Sequence, residues 1–355
     1  FSAAGLTGIP EGSFSGCSVL SSVTAGSAVS VGALAFSGCT ALVSLTLESA
    51  ESIGTEVSVP VSASDASKYA VFGGCINLGS VTMPALKLVG DFAFYGCSVL
   101  TSVNASGAYA LSSAEYIGSY AFAETGAKTV TVGTSGGIES VGNYAFYGCT
   151  SLTAFSSPSL KSLPANLFNS SASSDPCKVP MLQSISVPAA VSFLADLHGC
   201  TALTSVVMTS AETFADGTFY GCTSLVSAEM PAAKAIAPYQ FYGCRALASV
   251  SAPVATSVGD YAFSGCVTLS SLNSGTGLNP FIRITSVGGH AFESTALRSV
   301  TLGPRTSYLG ESAFEGCGSL RSAVIPDSLT SIGAYAFRNS PLSTVYIAAS
   351  VTSIG

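Results

Sequence analysis

Cysteine is the reactive residue type that recurs most regularly in this chain. Residues 146–152 and 219–225 both read FYGCTSL, and eight further segments place a cysteine three residues after a phenylalanine or leucine in a similar context. A thiol at a repeated position can form disulfides, bind a metal ion or act as a nucleophile. These ten cysteines are Cys17, Cys39, Cys75, Cys97, Cys149, Cys200, Cys222, Cys244, Cys266 and Cys317.

The spacing of this motif predicts the elements that hold the thiols. The phenylalanine of one motif often falls 22 residues after the previous one, as from Phe14 to Phe36 and from Phe219 to Phe241. A fixed period of this length is typical of a solenoid, in which each turn contacts only its neighbours. With the degenerate copies at Phe122, Phe168, Phe292 and Phe337 included, the chain has fourteen motifs. We therefore predict a solenoid of about fourteen turns.

Repeated cysteines of a solenoid stack on one another, which favours packing over chemistry. Equivalent residues of successive turns lie about 4.8 Å apart, and a buried cysteine behaves as a small hydrophobic side chain. Degenerate motifs hold Thr125, Thr295 or Ser340 at this position. Thr or Ser could not replace a cysteine that needed to form a disulfide. We predict a buried ladder of reduced thiols rather than disulfides or a metal site. Cys177, in the insertion NSSASSDPCKVP, is predicted to be an exposed and reactive thiol.

The segment SVGNYAFYGCTSLTAF at 140–155 predicts the path of one turn. Residues 143–147 are expected to form a short helical turn with Ala145 and Phe146 pointing inward. Gly148 is expected in the left-handed conformation that ends such a turn. Phe155 follows in an alternating pattern that is typical of a strand. The predicted fold class is an α/β solenoid with a strand ladder on one side and short helical turns on the other.

The period is interrupted at four intervals and at the end of the chain. The long intervals are Phe36 to Phe72, Phe94 to Phe122, Phe168 to Leu197 and Phe263 to Phe292. Their extra residues are predicted to bulge as loops or hairpins. The chain ends with SVTSIG, which matches SLTSIG at 328–333, where AYAF follows. We therefore expect residues 1–355 to be a single solenoid domain and a fragment of a longer, exported protein.

The repeated unit hGxxAFxGCxxLxxVxhP, in which h is a hydrophobic residue, is carried for example by residues 258–272. It resembles the BspA-type leucine-rich repeat over essentially the whole chain. With this resemblance, the expected fold is a right-handed leucine-rich-repeat superhelix. Proteins of this type are cell-surface molecules of mucosal bacteria and protozoa, associated with adhesion to host matrix proteins, other microbes and innate receptors. The resemblance implies no catalytic residues, because the motif is a packing motif.

Composition and motifs argue against several other functions. A net charge of −7, with only 9% charged residues, argues against nucleic-acid binding. Residues 12–47 carry no charge, but Ser or Gly interrupts them every few positions, so we predict no membrane insertion. His198 and His290 replace Tyr, Ser or Glu of other turns, and no GxSxG nucleophile context occurs. We therefore expect neither an enzyme nor a cofactor or metal ion.

Tyrosine is the residue with which the repeat could bind a partner. The positions two residues before and one residue after the motif phenylalanine lie on the same side of the turn and often hold aromatic residues. Tyrosine supplies a large contact area at a low entropy cost. The binding residues predicted on this basis are Tyr144, Tyr147, Tyr220, Tyr239, Tyr242 and Tyr261. The alternative that these rings only stack between turns and cover the outer face stays open.

The remaining surfaces are less distinctive. Outward strand positions hold Ser or Thr in many turns, a pattern shared with ice-binding solenoids, but Asn104 and Glu229 interrupt it. Small polar cover of a strand is the plainer interpretation. Arg298 and Arg321 occupy equivalent positions close to Arg305 and form either a small anion-binding patch or a solvated face.

The sequence therefore predicts an extracellular, adhesin-like binding module at the cell surface. The expected partners are host matrix or cell-surface proteins, or microbial proteins and glycans, bound by a monomer. The alternative is a structural spacer or stalk with no ligand of its own. A binding module should present one contiguous surface of non-repeating aromatic and charged residues, whereas a spacer should be uniform along its length.

Overall fold

The computed structural model describes residues 2, 5–55, 62–135, 137–169, 177–272 and 281–355. These residues divide into two compact units, residues 1–187 (unit 1) and residues 188–355 (unit 2). Each unit is a β-solenoid whose turns carry a strand before the motif and a strand after it, except that before Phe241 the first strand is reduced to a bridge residue, Ile236. The described residues contain only two helices, the 3-10 turn Ala63–Asp65 and the four-residue α-helix Ala66–Tyr69.

The turn at 140–156 shows the inward and outward pattern that the sequence predicts. Its first strand is Ser140–Val141 and its second strand is Ala154–Ser156. Phe146 is fully buried, and Phe155 is 1% exposed. The neighbours of Phe155 point outward, because side chains alternate across a strand. The predicted inward positions are confirmed.

The predicted short helical turns are not found in the described residues. Tyr144 and Gly148 both have left-handed backbone, with φ values of 61° and 69°. Because a helix needs consecutive right-handed residues, the segment between them closes only isolated turns, such as the bond from Tyr147 N–H to Tyr144 O at 3.0 Å. Other N–H groups donate to the next turn instead, as Tyr144 N–H does to Asn166 O at 2.7 Å. Gly148 does take the predicted left-handed conformation.

Strands that follow the motif form the longer ladder of each unit. In unit 1 they are Ser22–Thr24, Ser44–Thr46, Ser80–Thr82, Ser102–Ala105, Ala108–Leu111, Thr129–Val132, Ala154–Ser156 and Ser184–Ser186. In unit 2 they are Ser205–Val207, Ser227–Glu229, Ser249–Ser251, Ser271–Leu272, Ser299–Thr301, Ser322–Ile325 and Thr344–Ile347. Successive turns pair in parallel and in register, with Ser22 opposite Ser44, for example.

Strands that precede the motif are two residues long. In unit 1 they are Gly8–Ile9, Ser30–Val31, Ser52–Ile53, Leu88–Val89, Tyr116–Ile117, Ser140–Val141 and Ser162–Leu163. In unit 2 they are Ser192–Phe193, Thr213–Phe214, Ser257–Val258, Ser286–Val287, Tyr308–Leu309, Ser331–Ile332 and Ser353–Ile354. These strands also pair in parallel, as Val258 does with Val287.

The motif phenylalanines stack as a column through the core of each unit. In unit 1 the rings from Phe14 to Phe146 follow one another at 4.8 to 5.6 Å between centroids, with planes within 9°. In unit 2 the rings from Phe219 to Phe337 follow at 5.1 to 5.5 Å. Buried phenylalanine is the largest apolar contribution of each turn, at roughly 1.5–3 kcal/mol per ring. The column therefore ties each turn to the next.

One long interval contains the predicted hairpin. Strands Ser102–Ala105 and Ala108–Leu111 pair antiparallel between Phe94 and Phe122. The hairpin places Tyr109 in the core, where its hydroxyl donates to Leu100 O at 2.7 Å. Much of the other inserted sequence, at 56–61, 170–176 and 273–280, lies outside the described residues.

The cysteine ladder is confirmed in part, and the prediction that all ten ladder cysteines and Cys177 are reduced is wrong. Cys177 and Cys200 are disulfide-bonded, and the other nine cysteines are free. Eight of the free cysteines are buried, and only Cys17 is exposed. The predicted exposed thiol at Cys177 therefore does not exist. The repeat predicts contacts between equivalent positions of neighbouring turns, but it says nothing about the contacts of an inserted residue.

Each buried ladder thiol has a hydrogen-bonding function. Cys244 donates its S–H to Phe219 O at 3.0 Å, one turn earlier, and Cys266 donates to Phe241 O at the same distance. Burial raises the pKa of Cys244 to about 12, so the group keeps its proton at neutral pH. Where serine replaces cysteine, its hydroxyl makes the same bond to the previous turn, as Ser340 does to Phe314 O at 2.7 Å. Thr125 instead donates to Phe122 O of its own turn at 2.9 Å.

A column of glycines sets how closely the turns approach. A Cβ atom on Gly310 would lie 2.6 Å from the carbonyl carbon of Gly288, which real Cβ atoms essentially never show. The same close approach recurs at Gly32, Gly90, Gly118, Gly142, Gly259, Gly288 and Gly333. An added side chain at these glycines would push the adjacent turn away, whereas turns that have Ala215 or Ala237 at the equivalent position accommodate a Cβ atom there.

We predict that Gly310→Ala lowers the free energy of unfolding by about 1–3 kcal/mol, because the added methyl group overpacks a backbone contact. Urea unfolding of the full chain, followed by circular dichroism, measures the change. Gly318→Ala is the matched control, because Gly318 is exposed and has nothing within 4 Å of its added Cβ. Equal stability of the two variants would contradict the close packing of the glycine column.

We predict nine reactive thiols in denatured, unreduced protein, counted with a chromogenic disulfide reagent. In the native protein an alkylating reagent should modify Cys17 first, because the other free cysteines are buried. Cys17→Ser provides the control, since it should remove the fast phase alone. A count of eleven would contradict the disulfide-bonded state of Cys177 and Cys200, and rapid labelling of Cys17→Ser would contradict the buried ladder.

Candidate binding surface

Two repeat positions carry aromatic rings on the outer side of the motif segment. We call the position two residues before the motif phenylalanine column 1, and the position one residue after it column 2. Column 1 has left-handed backbone, with φ between 53° and 61° at Leu34, Phe92, Tyr120, Tyr144, Tyr239, Tyr261, His290, Ser312 and Tyr335. A bulky residue rarely takes this conformation. Bonds between turns hold it, as from Tyr239 N–H to Asp260 O at 2.9 Å.

Four of the six predicted tyrosines form one continuous surface in unit 2, together with both histidines. In column 1, Tyr239 stacks on Tyr261 at 4.9 Å and 8°, and Tyr261 stacks on His290 at 4.5 Å and 4°. In column 2, Tyr220 stacks on His198 at 4.3 Å and on Tyr242 at 4.7 Å. Tyr242 lies 6.1 Å from Tyr239 and 6.4 Å from Tyr261, which joins the columns. We call these six rings the unit 2 aromatic surface.

The other two predicted tyrosines belong to a second cluster, in unit 1. Tyr144 and Tyr147 meet edge to face at 5.9 Å. Column 1 continues from Tyr144 to Tyr120 at 4.7 Å and then to Phe92 at 5.1 Å. Tyr95 packs edge-on against Phe92 and Tyr120. Lys178 lies 6.0 Å from the centre of the Tyr147 ring.

Stacking determines which part of each ring a partner could reach. The faces of stacked rings are covered by their neighbours, so the ring edges are the parts that a partner could reach. Burial, with a contribution from the neighbouring Tyr144, raises the pKa of Tyr120 to about 12. Burial also raises the pKa of Tyr220. At neutral pH these phenols therefore keep their protons and can both donate and accept hydrogen bonds.

Tyr239 is a ring of the unit 2 aromatic surface that lacks a stacked neighbour on one side in column 1. The turn before it has Gly217 in column 1, so no ring stands on that side of Tyr239 at that position. Tyr239 is 40% exposed. Its described ring contacts are with Tyr242 and Tyr261 only. One ring face of Tyr239 is therefore available to a partner.

The histidines are the surface residues that sequence reasoning missed. His198 and His290 were assigned to column positions but were not expected to continue the ring stacks. Their positions in the repeat could have indicated this stacking, because a planar side chain at a column position lies against the ring of the adjacent turn.

A polar cluster adjoins His290, the last ring of the column 1 stack in unit 2. His290 Nδ1 lies 3.1 Å from Glu293 Oε2, and the Ser264 hydroxyl donates to the same oxygen at 3.1 Å. In the next turn, Glu315 accepts from Arg338 Nε at 2.6 Å. A hydrogen bond from Ser312, followed by the Arg338 pair, holds the pKa of Glu315 below its ordinary value, so this group is a carboxylate at neutral pH.

The remaining predicted surfaces are found as outward-facing residues. The ends of strands such as Ser22–Thr24 and Ser80–Thr82 are exposed, and Asn104 interrupts this hydroxyl row with a left-handed backbone. Arg298 and Arg321 are exposed in adjacent turns, joined by the bond from Arg321 N–H to Arg298 O at 2.8 Å.

The repeat geometry defines the class of protein as a solenoid of the leucine-rich-repeat kind. The family described as BspA type leucine rich repeat region matches residues 2–59, 65–187, 115–247, 197–279 and 234–355. The chain belongs to this family. No curated protein matches it.

One solved structure shows a similar fold, and two others are similar at lower TM-scores. A leucine-rich repeat protein from Bacteroides ovatus is 24% identical, with 88% of this chain and 80% of that chain covered and a TM-score of 0.54. A leucine rich cell surface protein from Faecalibacterium prausnitzii is 20% identical, with 98% and 82% covered and a TM-score of 0.35. The pneumococcal vaccine antigen PcpA is 16% identical, with 88% and 73% covered and a TM-score of 0.36. None of the helices in the described residues has the length and apolar character to cross a membrane.

Proposed function

We propose that this chain is an extracellular binding module of a cell-surface protein, and that it binds proteins or glycans through its aromatic columns. Its family of repeats is the first support for this proposal. The disulfide-bonded state of Cys177 and Cys200 suits an oxidising compartment outside the cytosol. Host matrix and cell-surface proteins are the partners we propose, bound by one copy of a single solenoid domain.

The unit 2 aromatic surface is the observation that carries the proposal. Each of its six rings stacks on one or two rings of adjacent turns, with centroids 4.3 to 4.9 Å apart within the columns. A partner that docks there meets side chains that are already ordered, so little rotamer entropy is lost on binding. Large, rigid and partly polar rings are the residues that most often dominate binding energy.

The exposed chemistry of this surface indicates how a partner is held. Because most ring faces are covered, the phenol hydroxyls of Tyr220, Tyr242 and Tyr261 contact a partner by hydrogen bonds along the column. Tyr239 adds one open ring face, on which an apolar group, a cation or the hydrophobic side of a sugar can pack. Tyr239 is therefore the anchor of the proposed site, and the hydroxyl rows align the partner beside it.

The spacer function has its own support and remains the second candidate. Rings that stack on each other satisfy most of their contact area without any ligand. Strand faces such as Ser22–Thr24 and Ser80–Thr82 expose small hydroxyl side chains that offer few anchors. A chain of this kind could separate other segments without binding anything itself.

We predict that replacing Tyr220, Tyr239 and Tyr242 together by Ser weakens binding more than tenfold, since loss of hot spots worth ~2 kcal/mol in total exceeds the 1.4 kcal/mol of a tenfold change. Serine is compatible with the backbone, because Ser312 and Ser264 occupy the same two columns in this chain. Biolayer interferometry with immobilised fibronectin, laminin, collagen and mucin measures the affinity of the full chain.

Tyr308→Ser is the matched control, because Tyr308 is 56% exposed but lies in a strand before the motif rather than in a column. It should bind as the unaltered chain does. Binding that survives the triple substitution, with an unchanged circular dichroism spectrum, would move the site away from the aromatic surface. No binding to any of the four ligands by the unaltered chain would favour the spacer function.

A further inference from the structure

His290, Glu293 and Glu315 bring three metal-binding atoms together in unit 2. One ligand atom from each residue lies within 4.8 Å of the other two. The His290 and Glu293 side chains are only 27% and 31% exposed, and that of Glu315 is 11% exposed. The three residues come from two successive turns, at column 1 of one turn and at column 2 of both turns.

The neighbours of the cluster hold its side chains in place. The ring of Tyr261 stacks on His290 at 4.5 Å and 4°, which fixes the plane of the imidazole. The Ser264 hydroxyl donates to Glu293 Oε2 at 3.1 Å and orients that carboxylate. Outer contacts of this kind position the ligands of metal sites. The left-handed backbone of His290, with φ at 55°, holds the start of its side chain at the column position.

We propose that His290, Glu293 and Glu315 form a binding site for a divalent transition-metal cation of the zinc type. One imidazole nitrogen and two carboxylate oxygens make a ligand set that zinc accepts, with ligand bonds of about 2.0–2.2 Å. An imidazole ligand and few oxygens make the set a poor one for calcium or magnesium, which prefer oxygen ligands. Three protein ligands leave a fourth position open to water or to a partner.

Arg338 competes with the cation for Glu315. Its guanidinium donates to Glu315 Oε1 through Nε at 2.6 Å and through a second nitrogen, and it lies 4.7 Å over the Tyr335 ring. A cation must share this carboxylate or displace the guanidinium. Arg338 therefore lowers the affinity of the site, and its removal should raise that affinity.

The test is isothermal titration of the full chain with Zn²⁺, in a Cys17→Ser background that removes the one exposed thiol. We expect one equivalent of Zn²⁺ to bind. His290→Gln and Glu293→Gln should each weaken binding at least tenfold, whereas Arg338→Gln should tighten it severalfold. Titration with Ca²⁺ should give at least tenfold weaker binding than Zn²⁺.

His198→Gln is the matched control, because His198 is the other histidine of the chain and stacks on Tyr220 away from the glutamates. It should bind Zn²⁺ as the Cys17→Ser chain does. Circular dichroism confirms that each variant is folded. The proposal is overturned by absence of 1:1 binding, by unchanged binding in His290→Gln, or by a loss in His198→Gln equal to that in His290→Gln. Unchanged affinity in Arg338→Gln would remove Glu315 from the site.

Discussion

The parallel, in-register pairing of successive turns is the constraint on which the rest of the structure depends. At positions such as Gly142 and Gly310 the backbones lie too near for any Cβ atom. A shift of one turn by one residue would turn its buried side chains outward, so the buried face fixes the register of both ladders. The phenylalanine column, the thiol ladder and the two outer columns follow from that register, because equivalent residues then lie one strand spacing apart.

This dependence explains which features were predictable from the sequence. The period and the alternation around Phe155 predicted the strands and the core correctly, because they report burial directly. The short helical turns were wrong because Tyr144 is not a residue type that indicates left-handed backbone. Bonds between turns impose that conformation on it, and such tertiary contacts override local propensity. The bonded state of Cys200 could not be predicted either, since it occupies the same repeat position as free cysteines.

The candidate surfaces were predictable to different degrees for the same reason. The six tyrosines could be proposed because they recur at two columns, and four of them stack in one surface of unit 2. The sequence did not lead us to include His198 and His290 in this surface, because their residue type differs from the tyrosines although their positions are the same. The cluster of His290, Glu293 and Glu315 has no signal in a single turn. It becomes visible only when two turns are stacked, because its members are separated by up to 25 residues in the sequence.

The fixed register also limits what a repeated residue indicates about function. Once the turns are locked, any ring at a column position stacks on the next, with or without a ligand, so stacking is as compatible with a spacer as with a binding module. Departures from the repeat are more informative, because packing does not require them. Gly217 removes a ring and opens one face of Tyr239. Glu315 and His290 replace the tyrosine and serine of other turns with groups that bind cations. Both departures adjoin the same column in unit 2, so a partner that uses the open face of Tyr239 and a cation at His290 would occupy opposite ends of one stack.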